Sequence, residues 1–256
     1  MYHALYRGED TTSIDAEDLP YAVSEQDFVA QLDALIERGH GGANDVGRDD
    51  ESDASPAVVI TFDDGHASNH DIALPHLLER GLHAWFFVTS DFVDRRAGFC
   101  STAQVTALAQ AGMTIGSHGT THAFFDDLDD AAALAEFEDS RTALAGMGGT
   151  IDSISFPGGR WNRRTLDLAE RAGYRTLFGS TVDIASASAL GHGRAADGTP
   201  IPRVAIRRTT SLDEFARIVD ADPAYYRRHR VVQGGKRLAR AVLGNRIYHG
   251  LYQSLS

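Results

Sequence analysis

Apolar positions along this 256-residue chain alternate between two periods, and the alternation sets out the expected elements. Tyr2 to Tyr6 reads as a short strand. Ser24 to Glu37 places Phe28, Leu32, Leu35 and Ile36 at helical spacing behind a capping serine. Residues 57–62 form a buried strand, followed by a predicted helix from Asp71 to Arg80 and a strand from Leu82 to Val88. The same order recurs: helix 102–111, strand 113–117, helix 128–147, strand 151–156, helix 163–172, strand 176–179, strand 204–207 and helix 212–219. Strands alternating with helices of this length predict a parallel α/β architecture. Several polar motifs fall at the C-terminal ends of strands, where barrels carry their active sites.

Two stretches break the pattern. Residues 41–57, rich in Gly, Asp, Ser and Ala, read as a mobile acidic loop. Residues 223–256 hold seven Arg and Lys and no acidic residue, although the whole chain carries -12. Leu238 and Val242 lie one turn apart in that tail, and Gly244-Asn245 suggests a break between two short helices. The expected organisation is a catalytic domain over 1–222 and a basic amphipathic helical tail over 223–256. Such a tail can lie on an anionic membrane surface, or dock on the acidic body or a second subunit. The net charge argues against a nucleic-acid partner. The single cysteine, Cys100, excludes an internal disulfide. The amino terminus lacks a basic, apolar leader pattern and no apolar run reaches membrane-spanning length, so the expected location is the cytoplasm, with contact at the inner membrane surface.

The chemistry sits in two motifs. Thr61-Phe62-Asp63-Asp64-Gly65 leaves a strand with two carboxylates that point in different directions. His118 and His122, four residues apart, fit one face of a helical turn and offer two nitrogen ligands. Alone, the first motif reads as an Asp-Gly turn and the second as two loop histidines. Together, each at a strand end, they make a hydrolytic metal site. Trp85, Phe86 and Phe87 read as core, Cys100 as a buried small apolar residue, Asn162 as turn support, and His66 and His70, which follow the Asp-Asp-Gly motif toward the cleft, more readily as helix-surface positions.

These residues resemble the polysaccharide deacetylase family, also known as NodB-homology or carbohydrate esterase family 4. TFDDGHASNHDIALPHLLERGLHAWFFV resembles its first motif, GMTIGSHGTTH its second, and SFPGGRWNRRTLDLAERAGYRT its third region. The resemblance spans roughly residues 1–220. It implies a distorted (β/α) barrel, circularly permuted in some members. It implies Asp64, His118 and His122 as ligands of a divalent metal, usually zinc, and Asp63 as general base. The implied reaction is removal of an N-acetyl group from an amino sugar, polysaccharide or lipid-linked saccharide. The N–H of Gly158 would help hold the oxyanion, and Trp161 would stack on a sugar ring or pack into the wall.

Two family features are missing. Ser155-Phe156-Pro157-Gly158-Gly159 lacks the arginine that orients the base; Arg160 and Arg203 are the replacements, Arg203 the better placed because it precedes a strand. The C-terminal Leu-x-His is also absent. Met1-Tyr2-His3 resembles the opening strand of permuted members, which makes His3 the candidate general acid, against an exposed terminal histidine. Two rival functions stay open: a C–N hydrolase of a non-sugar amide or imide, and a non-catalytic carbohydrate-binding relative. Oligomeric state is not encoded in these motifs.

Overall fold

The computed structural model describes residues 1–40, 58–186 and 188–230. The acidic loop 41–57 and tail positions 231–256 therefore lie outside the described residues. The chain opens with β1 (Leu5–Tyr6), which pairs in parallel with β2 (Val23–Ser24). Helix α1 (Glu25–Glu37) starts at the Ser24 cap, whose side chain accepts from the Asp27 N–H. Its Phe28, Leu32 and Leu35 are buried, as their spacing requires.

Strands β3 (Ile60–Phe62), β4 (Ala84–Val88), β5 (Thr114–Ser117), β6 (Ser153–Ser155) and β7 (Thr176–Phe178) form one parallel sheet in chain order. Helices α2 (Leu74–Glu79), α3 (Thr102–Gln110), α4 (Asp130–Gly148) and α5 (Arg163–Arg171) connect them. Short α6 (Ser188–His192) and then α7 (Leu212–Val219) follow β7. Asn162 caps α5 with a reciprocal bond to Thr165, which is the turn support expected of it. The expected helix at 71–80 begins earlier, in a π-turn at Asn69–Ala73.

The sheet curls because its edges meet through two segments too short to count as strands. Ile201 pairs with Phe178, its N–H bonding Leu177 O at 2.7 Å and its carbonyl accepting from Gly179 N at 2.9 Å. Ile206 N bonds Met1 O at 2.9 Å, and Tyr2 N bonds Thr61 O at 2.7 Å. The strand expected at 204–207 is thus reduced to contacts around Met1. A ring of parallel backbone results, with the residues just beyond each strand facing one mouth. Tyr2 fixes the seam: it packs on Phe28 and Phe62 and donates its hydroxyl to Gln31 at 2.8 Å. Trp85, Phe86, Phe87 and Cys100 are all buried. The start of the tail, residues 223–230, is helical, with Tyr225 and Tyr226 buried and Tyr226 donating to Ile218 O. No helix among the described residues is long and apolar enough to cross a membrane.

Candidate metal centre and active site

Asp63 and Asp64 leave β3 in opposite senses because the backbone turns between them. Asp64 adopts φ 75°, a left-handed conformation that side chains seldom accept without support. Asp63 turns to Arg203 and Asp64 to His118 and His122. One Asp64 oxygen, Oδ1, lies 3.2 Å from Nε2 of both His118 and His122.

The histidines reach it from a loop, and this corrects the helical-turn expectation. His118 directly follows β5, and the segment to His122 is not helical. Gly119 at φ 84° and His122 at φ 66° fold the loop back on itself, bringing the rings to 5.0 Å. Glu136, on α4, makes that loop rigid. Its carboxylate accepts from the N–H groups of Thr120 at 2.8 Å and Thr121 at 2.9 Å, and from the Thr121 hydroxyl at 2.6 Å. Sequence reasoning missed Glu136, because its partners lie 15 and 16 residues upstream and nothing local signals the contact.

The donor chemistry fits a cation. His118 Nδ1 lies 2.8 Å from Ser155 O. A carbonyl can only accept, so Nδ1 carries the proton and Nε2 presents a lone pair toward Asp64. Asp64 Oδ1 is buried and makes no aligned hydrogen bond. Lone pairs converging on a buried carboxylate oxygen are the arrangement that a divalent ion resolves. Burial alone would raise the Asp64 pKa, but the imidazoles of His118 and His122 close beside it and the charge of His3 hold it well below the usual carboxylate range.

Asp63 has a different partner. Arg203 grips it with two bonds, 2.7 Å to Oδ1 and 2.8 Å to Oδ2. The same guanidinium donates to Gly179 O, Thr61 Oγ1 and Ser155 Oγ, and Ser155 Oγ also donates to Asp63 at 3.0 Å. Arginine suits this position because its planar fork matches a carboxylate. Burial pushes the Asp63 pKa up, but the Arg203 charge, His118 and the Arg203 hydrogen bond outweigh it, and the value falls to about 2. The other candidate, Arg160, binds Asp126 and Asp127 and covers the Phe124 ring, away from Asp63.

A cavity of about 680 Å³ covers these groups; Asp63, Asp64, His118, His122, His3 and Gly158 all line it. His3 packs against Tyr21 at 4.8 Å, and its Nδ1 has no hydrogen-bond partner among the described residues. Its backbone carbonyl accepts from buried Asn69 at 2.8 Å. Burial lowers the His3 pKa, and the charges of Asp64 and Asp63 offset only part of this. Gly158 (φ 60°) and Gly159 (φ 63°) shape the opposite wall, and a Cβ on Gly158 would meet Phe124 at 2.8 Å.

Two expectations need correction. Trp161 does not line this cavity: of the two readings it takes wall packing, lying against the core and bordering a separate hollow with Pro200 and Ala185. The Phe and Tyr rings at the cavity are Tyr21, Phe92, Phe99, Phe124 and Tyr225. His66, expected on a helix surface, is 1% exposed and stacked on Phe99 at 4.3 Å. It bridges to Phe99 at the start of the helical stretch, which draws it inward.

The fold has solved counterparts. The deacetylase PplD of Streptococcus pyogenes, in complex with acetate, matches with a TM-score of 0.69 at 22% identity, over 85% of this chain and 95% of that one. BC0361, a polysaccharide deacetylase from Bacillus cereus, matches at 0.66 and 21%, over 85% and 67%. At these identities the likeness is one of fold. In sequence, YxkH of Bacillus subtilis (strain 168) is 28% identical over 194 residues, 73% of this chain and 65% of YxkH. The chain spans less than two thirds of the length of the curated relatives it matches. Residues 50–177, half of the chain, match the family model described as polysaccharide deacetylase. With the curled parallel sheet and the Asp-Asp and His-His motifs at its mouth, this chain belongs to the polysaccharide deacetylase family.

Proposed function

We propose that this protein is a metal-dependent hydrolase that removes N-acetyl groups from an amino sugar carried on a saccharide. The observation that carries the proposal is the adjacency of two differently equipped carboxylates: Asp64 facing two imidazoles and Asp63 gripped by Arg203. Family membership and the likeness to the deacetylase PplD in complex with acetate support the same reading.

Asp64, His118 and His122 would hold the ion. When bound, a divalent ion such as zinc polarises a carbonyl and lowers the pKa of water. The chain's own groups do the rest. Asp63 accepts the proton of the attacking water at a carboxylate oxygen; Arg203 fixes the direction of that oxygen and keeps it ionised. A carboxylate with a pKa of about 2 is a weak base, so its contribution is placement more than proton affinity. The N–H of Gly158, on the opposite wall, would stabilise the developing oxyanion. His3 donates a proton to the leaving nitrogen as the carbon–nitrogen bond breaks. Its lowered pKa makes the protonated form a ready donor, populated toward lower pH. Phe124, 37% exposed beside Gly158, offers a face for the sugar ring.

The test is acetate release from N-acetylglucosamine oligomers by the full chain, with and without added zinc, against Asp63→Asn. Activity that needs metal and falls by about 10²-fold or more in Asp63→Asn is expected. Turnover of cyclic imides but not of oligomers would instead make the protein a different C–N hydrolase. Oligomer binding with no acetate release from either chain would make it a binding relative.

A further inference from the structure

A second group of ligand-type atoms lies against the first. Asp18, His66 and Asp64 each offer one atom, and these three atoms all lie within 4.8 Å of one another. Asp18 stands just before the short 3₁₀ turn Leu19–Tyr21 and lines the same cavity as the catalytic groups. His66 is held from behind by the Phe99 ring and by the thiol of Cys100, which donates to its carbonyl.

Among the described residues, neither Asp18 nor His66 has a protein partner at normal hydrogen-bond length. His66 Nε2 is buried and has no hydrogen-bond partner. It lies 3.5 Å from Asp18 Oδ2, whereas a bond to a carboxylate closes to about 2.7–2.9 Å when it forms. Asp18 does not cap the turn that it precedes. Arg96, the cation near Asp18, is bonded to Asp15 and Glu17 instead. Two carboxylates and an imidazole converge, and no bond of normal length joins them. Like charges held this close need positive charge among them. A sugar hydroxyl could satisfy Asp18, which is 19% exposed, but it would not reach the enclosed His66 nitrogen.

We propose that Asp18, His66 and an Asp64 oxygen form a second divalent-cation site, joined to the Asp64–His118–His122 site through the shared Asp64 carboxylate. The donor set, one imidazole and two carboxylates with the cavity side open, suits zinc or manganese. Carboxylate-bridged ion pairs of this kind lie about 3.5–4 Å apart in hydrolases that use two metals. The proposal rests on the first group being a metal centre.

Metal content and electron paramagnetic resonance of the manganese-loaded full chain test it without reference to turnover. The chain should hold about two ions and give an exchange-coupled spectrum, as expected of ions at bridged spacing. Asp18→Asn and His66→Asn should each hold about one ion and give an uncoupled spectrum. Asp18→Asn is the decisive variant, because Asp18 is partly exposed and its loss leaves the packing of His66 on Phe99 intact; thermal denaturation verifies that both variants fold. One ion per chain in the unaltered protein, or two ions retained in both variants, would overturn the proposal. One ion, with Asp18→Asn raising KM alone, would make Asp18 an acceptor for a sugar hydroxyl instead. No ion held by the unaltered chain would remove the first metal centre as well.

Discussion

Arg203 and Asp63 show how one buried pair sets both stability and pH response. Both are almost fully buried, at 7% and 3% exposure. Removing one partner of such a pair leaves an uncompensated charge and costs about 3–5 kcal/mol. Arg203→Met should therefore lower stability at neutral pH by about that amount, read by denaturant unfolding. The pH dependence has a definite sign. In the intact protein the Asp63 pKa is about 2, below its ordinary 3.8, so its contribution is present above 3.8 and lost as pH falls through 2. Without the guanidinium, burial is the leading influence and the pKa rises. The variant should then recover stability relative to the unaltered protein as the pH falls, and the acid limb of kcat/KM should move to higher pH. An unmoved acid limb would mean that Asp63 is not the base. His3→Gln addresses the other proton. Loss of a general acid lowers kcat by about 10²–10⁴-fold, and metal content should not change, since His3 lies outside the Asp64–His118–His122 group. Full turnover in His3→Gln would move the acid elsewhere.

Among the elements, the loop from His118 to His122 depends on α4 more than on its own sequence. Glu136 takes up the N–H groups of Thr120 and Thr121, so the helix sets the angle at which His122 returns to Asp64. Groups that support metal ligands typically change affinity by about 10–100-fold when altered. Glu136→Ala should weaken zinc binding by that factor in competition with a chromophoric chelator, while Glu138→Ala, on the same helix, should not. Equal affinities would make the Glu136 contacts purely structural. This loop also marks where the sequence ceases to be legible. Helices α1, α3, α5 and α7 follow from apolar spacing and caps such as Ser24 and Asn162, which are local signals. The acidic pair at the end of β3 and His118 at the end of β5 were visible because a motif at a strand end is also local. The His118–His122 geometry was not: the four-residue spacing matches a helical turn, and a distant carboxylate overrides it. Arg203 could be placed from the strand that it precedes, but its five-bond anchorage joins Thr61, Asp63, Ser155 and Gly179, which only the closed ring brings together. Asp18 carried no signal, as an acidic residue in a loop, and His66 only its place just after Gly65, which fits a helix surface as readily as the cleft.

At the scale of the whole molecule, the site draws on almost every segment of the ring. Asp63 and Asp64 follow β3, His118 follows β5, Ser155 ends β6, and His3 and Arg203 lie on the two segments that join the sheet edges. A cation held by Asp64, His118 and His122 would tie β3 to β5 across β4, and would do so only in the folded chain. Ligands of that kind stabilise by mass action, about 2.7 kcal/mol at a free concentration 100 times Kd. For a domain of this size each kcal/mol corresponds to about 2–4 °C, so chelation should lower Tm by about 5–10 °C. Asp64→Asn should abolish that response, because it removes the oxygen on which both imidazoles converge. The sign of its own effect is also set. Without metal, Asp64 is a buried carboxylate in a left-handed backbone conformation, and asparagine tolerates that conformation at least as well. The depressed pKa of Asp64, however, means that its charge stabilises the metal-free fold at neutral pH, so the metal-free variant should melt lower than the chelated unaltered protein. Differential scanning calorimetry of both chains, with zinc and with chelator, gives the four Tm values required. An equal chelator shift in both would mean that the stabilising ion binds somewhere other than the mouth of the barrel.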